Sequence, residues 1–86
     1  MRNHLEILED IDKLLADNGL EEERQQLDFE LRASSTGGEL CSRSGSKLLT
    51  LQTTNKQIDF VIGHLIKEFI LYCHANGLYP KPNYET

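Results

Sequence analysis

Eighty-six residues make one domain and leave no room for a catalytic unit beside a regulatory one. A formal net charge of −5 opposes phosphate backbones and disfavours ordinary DNA or RNA binding. Two cysteines are too few for a disulfide scaffold, and the N-terminal MRNHLEILED lacks the apolar core of a signal peptide. The expected setting is therefore the cytoplasm, with both thiols reduced.

The charge is uneven. Residues 1–32 carry ten acids against four bases, a net of −6, whereas residues 33–86 carry four acids against five bases, a net of +1. Such an acidic half suits a basic protein partner; it also serves simply to keep a small helical protein in solution. A chain this short buries a limited fraction of its surface, and self-association is a common supplement.

Taken in order at about 3.6 residues per turn, the first periodic segment runs from Asn3 to Asp17. Ile7, Ile11 and Leu14 share one side with Leu8 and Leu15, and Glu6, Glu9, Asp10, Lys13 and Asp17 lie opposite. ADNGL ends it, because Asn18 or Gly19 can take the left-handed conformation while Leu20 folds back on the last turn. A second helix is predicted from Glu21 to Ala33, its opening glutamates favoured by the helix dipole. Its stripe of Leu20, Leu27 and Leu31 is thin, and Phe29 and Ala33 point to nearly the opposite side.

The Gly- and Ser-rich stretch SSTGGELCSRSGSKLL invites a phosphate-loop reading, which the spacing rejects. Gly38 and Gly45 are separated by six residues, Ser46 intervenes before Lys47, and a helix precedes where a strand is required. Thr36-Gly-Gly-Glu39 instead has the spacing of a helix capping box. On the helix that follows, Leu40, Cys41, Ser44, Gly45, Leu48, Leu49 and Leu51 share one half. Ser44 and Gly45 are small enough to let a neighbouring helix approach. A strand over LLTLQTT is the rival reading, since Leu49, Leu51 and Thr53 alternate.

The fourth helix opens at Thr54-Asn-Lys-Gln57, another capping-box spacing, with Asn55 a competing cap. Ile58, Val61, Ile62, Leu65, Ile66, Phe69, Ile70, Tyr72 and Cys73 cover about half its wheel. The run is broken by Asp59, His64, Lys67 and Glu68, which marks a buried helix and not a membrane span. HANGL closes it near Asn76, repeating the stop signal of the first helix. Pro80 and Pro82 forbid continuation, leaving YPKPNYET as an extended tail.

Chemistry-bearing residues are sparse. His4, His64, His74, Cys41 and Cys73 are the metal-ligand candidates, and no pair of them has C-x-x-C or H-x-x-x-H spacing. Both cysteines fall on core faces, where free cysteine acts as a small apolar residue. Glu6, Glu9, Asp10 and Asp12 occupy the wettest face of the first helix, where solvation argues against paired acid/base work. Arg43, Lys47 and Lys56 form the one basic patch, and the helix carrying the first two is mostly serine and leucine, poor material for reading base edges.

These readings converge on an all-α protein: a small four-helix bundle over residues 1–79 with short connections, the fourth helix central, and an extended tail over residues 80–86. The off-stripe residues Phe29, Phe60 and Leu71, with His64 beside the latter two, are the candidate interface. The expected function is a noncatalytic protein-interaction module, self-associating as a homodimer, with no cofactor, metal, nucleic acid or membrane. The alternative is an acidic, antitoxin-like inhibitor that binds a basic protein through the first two helices.

Overall fold

Asn3 begins the first helix of the computed structural model, which describes residues 2–82. Its Oδ1 accepts from the Glu6 N–H at 3.0 Å, and Glu6 Oε1 accepts from the Asn3 N–H at 3.4 Å, a reciprocal capping box. Helix α1 then runs His4–Asp17, followed by α2 (Glu21–Ala33), α3 (Gly37–Thr54) and α4 (Lys56–Ala75). All regular structure among the described residues is helical, so the strand alternative over LLTLQTT gives way to α3, which continues through it to Thr54. Residues 80–82 have no regular structure, and the predicted tail beyond them, residues 83–86, lies outside the described residues.

The two related stop signals build the same ending. Gly19 and Gly77 take positive φ of 69° and 76°. The Leu20 N–H donates to Leu15 O and the Leu78 N–H to Cys73 O, each at 2.9 Å. Asn18 and Asn76 also turn their side-chain amides back to the carbonyls of Leu14 and Tyr72. Both are Schellman closures, in which a left-handed residue lets the chain reverse and satisfy the last carbonyls.

At the other corners, Thr36 Oγ1 accepts from the Glu39 N–H at 3.0 Å, forming the threonine half of the predicted box. Between α3 and α4 the competition is won by Asn55, whose Oδ1 accepts from the Gln57 N–H at 2.9 Å. Thr54 belongs to the end of α3 and spends its hydroxyl on the carbonyls of Thr50 and Leu51. A single residue thus closes one helix and opens the next.

The helices form a ring in which each packs on two others: α4 on α3 and α1, and α2 on α3 and α1. The fourth helix is therefore not a central rod. Its distinction is its share of the core, with Ile58, Ile62, Leu65, Ile66, Phe69 and Cys73 buried, against Leu27 alone on α2. Burying one large apolar side chain contributes roughly 1.5–3 kcal/mol, so α2 is the most lightly anchored helix.

Ser44 is fully buried, as the small-residue pattern requires, and its Oγ has no hydrogen-bond partner among the described residues. Gly45 departs from expectation in what it admits. A Cβ there would stand 2.6 Å from Cγ of Pro80 and 2.8 Å from its Cβ, with Ile70 of α4 at 3.4 Å. The glycine is a seat for the proline ring of the segment after α4 more than for a neighbouring helix.

Replacing Gly45 with alanine is expected to lift the segment around Pro80 off α3. The gain of about 1 kcal/mol in helix propensity offsets much of the lost packing. Heteronuclear relaxation at Tyr79 and Lys81 should show increased mobility with little change in melting temperature, and unchanged relaxation would refute the contact.

Candidate functional site

Two surfaces stand out, one on the outside of α4 and one between α1 and α2. The first carries three of the sequence-predicted residues. Phe60 is 89% exposed and Leu71 is 51% exposed, with His64 also open to solvent. At about 100° per residue, His64, Lys67 and Leu71 all lie within about 40° of Phe60, and Phe60 and Leu71 stand about 16 Å apart along the axis. Lys56 and His74 extend the same exposed line at either end.

Phe29, 65% exposed, belongs elsewhere. It borders a shallow depression between α2 and α3 with Glu22, Gln25, Gln26, Glu30 and Lys47. The expected basic patch of Arg43, Lys47 and Lys56 is partly neutralised: Arg43 reaches across from α3 to Glu30 of α2, Nε to Oε1 at 3.1 Å.

The second surface was not singled out by the sequence pattern. Leu5, Leu8, Leu27 and Leu31, joined by Leu40 of α3, line a groove of about 490 Å³ between α1 and α2, with Glu9, Asp12 and Asp28 as its acidic groups. Leu5 is 57% exposed there. Its position was legible in principle, since it stands three residues before Leu8 and off the Ile7–Ile11–Leu14 line. Arg24, the base in this lining, is held by Asp12 at 2.8 Å and by Glu21 at 3.0 Å.

The remaining polar groups knit the bundle. Arg2 makes a two-pronged contact with Glu68 of α4, Nε to Oε2 at 2.9 Å and Nη2 to Oε1 at 2.8 Å, and also pairs with Asp10 of α1. The guanidinium holds the Glu68 carboxyl below its ordinary range, mainly through these hydrogen bonds, against burial and the nearby Asp10 charge. His4 Nδ1 lies 3.2 Å from the Tyr72 hydroxyl, giving α1 a further tie to α4. His74 stacks at a tilt on Tyr79, ring centres 5.0 Å apart.

Cys41 and Cys73 are free and buried, and the Cys73 thiol faces the Cys41 carbonyl at 3.8 Å. Burial pushes the Cys73 thiol up to about 12, with Cys41 adding to the effect, and burial also raises Cys41. Neither is poised as a thiolate nucleophile. Among the described residues no group of three or more His, Cys, Asp or Glu side chains is placed to hold a metal ion. No helix among them is long and apolar enough to cross a membrane.

No protein-family model matches the chain, and no curated protein or solved structure does so either.

Two outcomes follow from this geometry. A folded-state Glu68 pKa below the unfolded value stabilises the protein above the ordinary glutamate range, and that contribution is lost as pH falls through the folded value. Arg2→Ala should return Glu68 toward its ordinary pKa in a carboxyl NMR titration and flatten the acid limb of the stability curve. The thiols should react with a disulfide reagent only as fast as the protein opens, and label at once in denaturant. Immediate labelling of the folded chain would show that they are not sealed.

Proposed function

We propose that this chain is a noncatalytic protein-interaction module that self-associates through the outer face of α4. The observation that carries the reading is Phe60, which projects almost wholly into water in line with Leu71. Isolated exposed apolar side chains are ordinary. Two on one stripe of the helix that anchors the core offer rigid contacts whose burial on association removes little conformational freedom. The inward thiols and the pairing of most arginines within the bundle support binding over chemistry. The cytoplasm is the setting in which two free, unpaired cysteines are stable.

A second reading, an acidic inhibitor-like regulator that engages a basic protein through α1 and α2, draws on the acid-bearing apolar groove between those helices. Its affinity would fall with salt.

The test is sedimentation over a range of concentrations. The average mass of the wild-type chain should rise above 9.8 kDa, whereas Phe60→Asp should stay monomeric with an unchanged melting temperature. A wild-type mass that stays at the monomer value of 9.8 kDa at every concentration removes the reading.

A further inference from the structure

The two surfaces are complementary to each other. The line on α4 carries Lys56, Phe60, His64, Lys67, Leu71 and His74, with no acid within about 40° of Phe60 around the axis. The nearest acids, Asp59 and Glu68, lie about 100° and 80° round the helix, and Glu68 is occupied by Arg2. The groove between α1 and α2 has the opposite character: leucines in its lining, Leu5 open to solvent, and three acids, Glu9, Asp12 and Asp28, against the one base Arg24; Asp12 is paired with Arg24 and Asp28 with Arg32, and Glu9 stands outside these pairs. The half of the chain that forms it carries a net of −6.

We infer that the occupant of the α1–α2 groove is the outer face of α4 from a second copy of this chain, seated by Phe60. The groove and the α4 face lie on different surfaces of one molecule, so one copy cannot fill its own groove. Phe60 enters among Leu5, Leu8, Leu27 and Leu31. Lys56 stands about one helical turn to one side of Phe60 and Lys67 about two turns to the other, placing a cation on either side of the ring for the carboxylate of Glu9. Glu9 is exposed for this contact. The light anchoring of α2, which buries Leu27 alone, lets the groove adjust its width to an aromatic ring.

The contact is head-to-tail: each copy offers a groove to one neighbour and a helix to another. Such a heterologous interface does not stop at two unless it closes into a ring. The inference rests on the self-association reading above and names the surfaces that meet.

Mixing two variants tests it. Phe60→Asp removes the plug and keeps the groove, and Leu5→Asp spoils the groove and keeps the plug. Both side chains are largely exposed, so circular dichroism and melting temperature should match the wild type, and Lys67→Glu serves as a second plug variant. Each variant alone should be monomeric. An equimolar mixture should form a capped dimer of about twice 9.8 kDa, and added salt should weaken it. Wild type should exceed the dimer mass as concentration rises, unless the ring closes at two.

If wild type associates while the mixture stays monomeric, the head-to-tail contact is overturned and self-association through α4 stands. If Leu5→Asp associates like wild type, the groove has no part in assembly and the inference fails alone. A wild-type chain that never associates overturns both readings.

Discussion

The apolar face of α4, from Ile58 to Cys73, needs cover along its whole length, and α1 and α3 supply it from two sides. At roughly 1.5–3 kcal/mol per large side chain buried, this one face outweighs anything the surface ion pairs contribute, since exposed pairs are worth about 0–1 kcal/mol each. Phe69 is the largest of the fully buried side chains, and Ile7, Ile11 and Leu15 of α1 are sealed with it. The polar contacts decide a different matter, which is orientation. Arg2 links the start of the chain to α1 and α4, Arg24 links α2 to α1, and Arg43 links α3 to α2. Three of the four neighbouring pairs in the ring are thus bridged, each by its own arginine.

That division leaves α2 with a peculiar status. It buries Leu27 alone and is oriented by the links to Asp12, Glu30 and the Asn55 amide, which reaches Glu23 at 3.4 Å. A helix anchored this lightly keeps an apolar flank available beside α1. In the proposed head-to-tail contact, the acidic bias of the first half and the basic line on α4 become parts of one arrangement, with opposite signs on separate faces of each copy.

The helices and their ends were written in local chemistry, which is why they were legible. A cap requires an oxygen a few residues from a free N–H, and a Schellman stop requires a glycine followed by an apolar residue; both are short-range conditions that Asn3, Thr36, Gly19 and Gly77 meet. Where two local signals overlapped, at Thr54 and Asn55, the pattern left the choice open. The one-residue corner settled it by committing Thr54 to α3. Long-range pairings were invisible for the converse reason. Nothing near Gly45 in sequence announces Pro80, and nothing near Arg2 announces Glu68. Of the candidate surface, Phe60, His64 and Leu71 were legible because they share one helix, so their alignment is a matter of periodicity. Phe29 sits on another helix, and whether it joins them depends on how helices are arranged around the ring. The α1–α2 groove belongs to no single helix and emerges only when both are placed.

The paired stops carry a consequence about handedness. Around Gly19 and Gly77 a Cβ would meet no atom within 4 Å, so neighbouring atoms do not forbid a side chain there. What forbids it is the positive φ, which sets the Cβ of an L-residue against its own backbone. A residue of mirror-image configuration would sit at either site without strain, and each would then be locked in the turn it already makes.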